Sequence, residues 1–213
     1  MTMLHLARHG ETVWHHENRY AGISDIALTD LGVAQAEALA SWASRESVTR
    51  IISSDLTRAV ATAQPSAIAL GSELVIDPRL REVNFGRGEG MTSNEMRTTF
   101  PKEYRAFLSA PASQPLPDGE LGSHAISRAI PVITEICQEQ AAVFLLVGHS
   151  TLIRLLLCGL LGIPLDSYRR VFPQLINGAI TTISIPGPIH ESSTLLASAS
   201  LLTLNAPVHT GSG

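Results

Sequence analysis

An α/β fold, with a parallel or mixed sheet covered by helices on both faces, follows from three features of this 213-residue chain. Short apolar runs alternate with segments of helical period over the first 160 residues. The runs have the length and composition of buried strands. Apolar residues make up 45% and charged residues 16%, so the chain can bury a full core and is not a disordered segment.

The elements read off in order. "MLHLA" (3–7) is a buried strand. Residues 28–43 are a helix with a cap signal at Thr29 and apolar positions at Ala36, Leu39, Ala40 and Ala43. "VTRIISS" (48–54) is a second strand, and a helix starts at Asp55 and runs to 70, with Pro65 a kink point. "ELVIDPRL" (73–80) is a short strand, followed by a polar, glycine-rich stretch over 81–96 and short helical pieces to about Leu108. Residues 109–123 form a loop rich in Pro, Ser and Gly, and 124–140 a helix with Pro131 as a bend. "AVFLLV" (142–147) is a buried strand, 151–161 a helix, and 178–185 and 195–205 late strands. The terminal "HTGSG" is expected to fray. No internal repeat is found.

Composition also excludes function classes. A net charge of -4 gives no overall attraction to nucleic acid or an anionic membrane, so an anionic ligand needs a local basic pocket. Lys102 is the only lysine; the other basic residues are arginine, the better fork for phosphate or carboxylate. Cys137 and Cys158 lie in apolar helical patterns and read as core residues in a reducing compartment, so a cytoplasmic location is expected. No signal peptide or membrane span is read; the most apolar stretch, 152–165, is interrupted by Arg154 and Gly159.

In such a fold ligands bind beyond the carboxyl ends of the strands. Arg8-His9-Gly10 follows the first strand, and Gly148-His149-Ser150 follows the strand at 142–147. Arg58 lies in the first turn after the second strand, and Glu82 follows the third. Gly10 and Gly148 let backbone approach a ligand closely. Two histidines, two arginines and a glutamate thus converge on one edge. Phosphoryl transfer to a histidine nitrogen needs this set: a neutral imidazole as nucleophile, arginines for the non-bridging oxygens, and a carboxyl to move the proton.

"LARHGETVWHHENRYAGISDIALTDLGVAQA", "SSDLTRAVATA", "LREVNFGRGEG" and "LLVGHS" resemble, in order and spacing, the signature blocks of the histidine phosphatase superfamily, the phosphoglycerate mutase-like or RHG group. The resemblance covers about residues 3 to 185. It implies a three-layer sandwich, a mixed and mostly parallel sheet with helices on both faces. It also implies a single domain over 1–213 with a cap-like insertion at about 83–123. His9 matches the nucleophile that becomes phosphohistidine, Glu82 the proton donor and acceptor, and Arg8, Arg58 and His149 the phosphate pocket. His15, Ala21, Gly22 and Ser150 fall at further substrate-binding positions. No metal or cofactor is implied.

Three positions depart from the family pattern. His15 stands where an asparagine usually touches the phosphate, Ala21 where a glutamine usually precedes Gly22, and Gly119-Glu120-Leu121 where Gly-Glu-Ser is common. These changes bear on the leaving-group pocket more than on the core chemistry. "VNFGRGEGMT" after Glu82 resembles the phosphatase branch rather than the mutases, whose basic segment is represented only by Lys102, Arg97 and Arg105.

The expected activity is metal-independent hydrolysis of a small phosphorylated metabolite, with mutase-type transfer or a non-catalytic phospho-ligand sensor as alternatives. A homodimer is the one protein partner considered. An esterase would use Ser150, with Asp166 and then His190 or His209, but Leu152 replaces the final glycine of its elbow. "GRGEG" (86–90) is a weak nucleotide-binding signal, and His15-His16-Glu17 lacks the spacing of a metal motif. Trp14 is expected to pack beside the catalytic loop, Trp42 on the apolar face of its helix and His5 as a satisfied core histidine, while His124 is a candidate lid residue.

Overall fold

The computed structural model describes residues 1–139, 142–186 and 191–208. One six-stranded sheet organises it, in the order β3-β2-β4-β1-β5-β6. The strands are β1 (Thr2–Arg8), β2 (Arg50–Ser53), β3 (Leu74–Ile76), β4 (Val143–Gly148), β5 (Ile180–Ile185) and β6 (Ser200–Ala206). The first four run parallel. β5 is antiparallel to β1 and β6 to β5. The sheet is therefore mixed and mostly parallel, as the sequence predicts.

The period of two along each strand sorts side chains to two cores. Leu4 and Leu6 of β1, Ile52 of β2, and Phe144 and Leu146 of β4 face one core. It is closed by α5 (Gly122–Gln138) and α6 (Ser150–Leu160). Ala7, Ile51, Leu145 and Val147 face the other, closed by α1 (Asp30–Arg45) and α2 (Thr57–Leu70). Alanines 43, 59, 63 and 67 let α1 and α2 sit close together on that face.

The segment 83–123 carries α3 (Ser93–Thr99) and α4 (Pro101–Ser109). Its Phe85, Met96, Phe100, Tyr104, Phe107 and Leu116 are buried in the same core as β1, α5 and α6. Two short helices complete the chain, α7 (Tyr168–Val171) and α8 (Ser192–Leu195).

Several boundaries differ from the sequence reading, each for a local reason. α2 starts at Thr57, not Asp55: the Thr57 amide donates to Asp25 Oδ1 at 2.9 Å, while Asp55 pairs with Arg81. α2 and α5 both run through their prolines. The third strand stops at Ile76, because Pro78 cannot donate to a ladder and Asp77 caps a 3-10 turn over Pro78–Leu80. α5 begins at Gly122, where the absent side chain admits Ala112; a Cβ there would lie 2.7 Å from the Ala112 Cβ. The stretch 195–205 is not one strand: α8 ends at Leu195 and Ala197 turns the chain at φ +59° before β6. The expected cap at Thr29 is present, its side chain accepting from Gly32 N. Residue 140, the end read for the helix at 124–140, and the terminal "HTGSG" lie outside the described residues. No described helix is long and apolar enough to cross a membrane.

Candidate active site

The carboxyl ends of β1, β4 and β2 meet at one edge. Arg8 and Gly148 are register partners in neighbouring parallel strands. The His9 amide extends the ladder by donating to Gly148 O at 2.9 Å. His9 and His149 therefore leave adjacent strand ends with ring centroids 5.2 Å apart. Gly10 serves this arrangement through packing rather than ligand approach. A Cβ on it would lie 2.5 Å from Gly32 O, so the loop after β1 crosses the start of α1 backbone to backbone. Gly148 has no such need; a Cβ there makes ordinary contacts.

His9 is buried, and its Nδ1 lies 2.7 Å from Gly10 O. A carbonyl only accepts, so Nδ1 carries the proton and Nε2 keeps its lone pair. Burial, then His149, Arg8 and Arg58, hold the imidazole well below the usual histidine range, so it is neutral near pH 7. His149 is depressed likewise by burial and by Arg58, Arg128 and Arg8. Its Nε2 meets Ser54 Oγ at 2.8 Å.

Four buried side-chain nitrogen or oxygen atoms lack a partner among the described residues, and three belong to this cluster: Arg8 Nε, Arg58 Nε and His149 Nδ1. Unsatisfied buried donors of this kind are costly unless a ligand takes them up.

Glu82 is buried at the start of α6. Its carboxylate accepts from Thr151 N at 2.8 Å, Leu152 N at 2.8 Å and Val83 N at 2.9 Å. The position is set from behind. Arg128 donates to Glu82 O and is itself held by both oxygens of Glu120. Glu120 of the altered Gly-Glu-Ser triplet is thus a support for the glutamate rather than a ligand contact.

A cavity of about 450 Å³ opens in front of these groups. Arg8, His9, His15, Ala21, Glu82 and Ser150 line it, together with Trp14, which also packs on Gly90. Arg58 and His149 are fully buried behind its wall. The two terminal nitrogens of Arg58 are committed to Ser24 O and Gly22 O, each at 2.7 Å, so this arginine holds the 21–24 loop. The Gly22 amide is turned away too, donating to Glu89 at 3.1 Å. Glu89 also accepts from Ile23 N and Ser24 Oγ, which makes "GRGEG" a clamp on that loop.

His15 does not take the place of the usual asparagine directly. Arg8 Nη2 lies 2.5 Å from His15 Nε2, and a guanidinium can only donate. Nε2 is then the acceptor there, and Nδ1 meets the Thr12 amide at 3.0 Å and Thr12 Oγ1 at 2.8 Å. Burial and Arg8 lower His15 to about 4. Burial lowers His5 as well, which pairs with Thr182 at 2.9 Å.

Four histidines are thus held neutral in the folded chain and take up protons when it unfolds below pH 6.5. The unfolded state binds more protons in that window, so stability rises with pH there and is full above it. Each contributes at most about 1.4 kcal/mol per pH unit, less for part-exposed His15. The urea midpoint is expected to be flat above pH 7 and to fall steadily from 6.5 to 4.5, with a shallower fall in His15→Asn. A midpoint constant over that window would contradict the buried neutral histidines.

The sequence reading missed several residues that the fold brings here: Ser54, Asn177, which donates to His9 O at 2.8 Å, and the cavity-lining Tyr20, Arg154 and Arg169. The one available signal was a charge, Arg154, inside the most apolar helix. His124 is exposed and does not line the cavity. Both Asp166 oxygens are taken by Ala112 and Ser113, so the acid read for an esterase triad at Ser150 is engaged elsewhere. His190 and His209, the histidines of that triad, lie outside the described residues.

A sequence model of the histidine phosphatase superfamily (branch 1) matches residues 4–188. A probable phosphoglycerate mutase, GpmB, of Yersinia pestis is 35% identical over 173 residues, 80% of each chain. Among solved structures, a mycobacterial glucosyl-3-phosphoglycerate phosphatase superposes with a TM-score of 0.85 at 26% identity, covering 97% of this chain and 99% of that one. A putative alpha-ribazole-5'-P phosphatase from Escherichia coli gives 0.81 at 25% identity, with 97% of both chains covered.

Proposed function

The chain belongs to the histidine phosphatase superfamily, and from that premise we propose that it hydrolyses a small phosphomonoester through a phosphohistidine, without a metal. The observation that carries this reading is the tautomer of His9. With Nδ1–H held by Gly10 O, the lone pair of Nε2 is available beside three unsatisfied cationic or N–H groups.

Nε2 attacks phosphorus, the P–N bond forms as the ester P–O bond breaks, and the departing alkoxide takes a proton from Glu82. The emerging charge on the non-bridging oxygens is met by Arg8, by Arg58 Nε and by His149. Ser54 Oγ accepts from Leu56 N at 3.2 Å. Donating its own proton to His149 Nε2 leaves Nδ1 as that residue's N–H. A water then gives its proton to Glu82 and attacks the phosphohistidine. Phosphate leaves, and both residues return to their starting states. Arg8 neighbours Arg58 and Arg154, and burial lowers it to about 10, still charged at neutral pH.

The Yersinia relative supports a second reading, transfer of the phosphoryl group to another hydroxyl instead of water. One experiment separates the two. The protein is incubated in EDTA with p-nitrophenyl phosphate or 3-phosphoglycerate, and inorganic phosphate and positional isomers are both quantified. EDTA-resistant phosphate release with no isomer is expected. Isomer formed faster than phosphate would make the protein a mutase.

A further inference from the structure

Arg19, Arg50, Arg79, Arg81 and Arg128 form salt bridges with acids. Arg154 of α6 and Arg169 of α7 form none among the described residues, although both are half-buried and both line the cavity. They flank one ring. Arg154 Cζ lies 4.8 Å and Arg169 Cζ 5.6 Å from the centroid of buried Tyr168. Arg169 also lies 4.4 Å from the Phe107 centroid.

Their positions are held by neutral partners. Arg154 Nε donates to Ser150 O at 3.0 Å, and Arg169 Nε to Tyr168 Oη at 3.0 Å. Arg154 Nη2 and Arg169 Nη1 make no hydrogen bond among the described residues. Two guanidinium groups therefore share a wall with no carboxylate bonded to either among the described residues. Glu82 is the one carboxylate among the described residues lining this cavity, and its oxygens accept from backbone amides. The phosphoryl group itself already has Arg8, Arg58 and His149.

We infer that Arg154 and Arg169 form a second anion subsite, so that the leaving group of the preferred substrate carries its own carboxylate or phosphate. The inference rests on the phosphomonoester reading of the same cavity and narrows it: neutral sugar or nucleoside monophosphates lack the group this wall is built for. Guanidinium groups pre-ordered on aromatic rings lose little freedom on binding and meet a carboxylate or phosphate as a fork. A site built for a charge also rejects an analogue that leaves the donors unpaired.

The test uses matched pairs. 3-Phosphoglycerate is compared with glycerol 3-phosphate for the carboxylate, and fructose 1,6-bisphosphate with fructose 1-phosphate for the phosphate. Each is measured for kcat/KM on the wild type, Arg154→Gln and Arg169→Gln, and for Kd on His9→Ala. At least one pair is expected to favour its doubly anionic member by about 10- to 100-fold, chiefly in KM, with the ratio falling toward one in both glutamine variants. The ratio guards against misfolding, since a damaged fold lowers both members together. The pair that discriminates names the source of the anion.

Ratios near one in the wild type, ratios unchanged in the variants, or equal binding within both pairs (no measurable binding included) overturn the subsite. A binding preference in His9→Ala without turnover by the wild type would instead overturn the phosphatase reading and leave the subsite standing.

Discussion

Replacing His9 by alanine is expected to abolish turnover, with a fall of about 10,000-fold or more, as when the nucleophile of a covalent mechanism is removed. The effect is so large because no second group can substitute. His149 Nε2 is engaged with Ser54, and His15 Nε2 with Arg8. The fold should persist, since the backbone bond from residue 9 to Gly148 O is independent of the side chain. A phosphorylated imidazole is labile in acid and survives base. Alkaline quenching of wild type with labelled substrate should therefore trap protein-bound phosphate, and the variant should trap none. Normal labelling of the variant would remove His9 from the mechanism.

Glu82→Gln should cost about 100- to 10,000-fold in kcat on alkyl phosphates, the range for losing a general acid–base. The two half-reactions should separate. A nitrophenolate leaves without a proton, so phosphorylation by p-nitrophenyl phosphate should be little affected, whereas water attack on the phosphohistidine still lacks its base. A burst of one nitrophenolate per active site followed by a slow phase is the expected trace. Equal losses on alkyl and aryl esters, with no burst, would show that Glu82 serves position rather than proton transfer. The variant should also lose about 1–3 kcal/mol of stability, because an amide NH₂ would face backbone donors that now find carboxylate oxygens.

Much of this site was legible in the sequence because its parts are local. A strand buried on both faces must shed its polar groups at its end, and Arg8-His9-Gly10 and Gly148-His149-Ser150 stand where the apolar runs of β1 and β4 stop. Parallel pairing then places His9 and His149 side by side. The boundary error at Asp55 was not local: Asp55 has the chemistry of a cap, but Arg81 holds it and Asp25, far off in the chain, supplies the helix instead.

By itself, then, the sequence determined the fold class, the sheet edge and the five residues gathered there, since periodicity and strand order are encoded over a few residues. Tertiary structure decided what those residues face. Arg58, read as a phosphate ligand, spends its terminal nitrogens on the carbonyls of the 21–24 loop. His15 turns its acceptor to Arg8, and Glu120 reaches Glu82 only through Arg128. The pairing of Arg154 and Arg169 across Tyr168 arises where α6 meets α7. A charge in an apolar helix shows that something must compensate it, but the partner is chosen by packing between segments far apart in the chain.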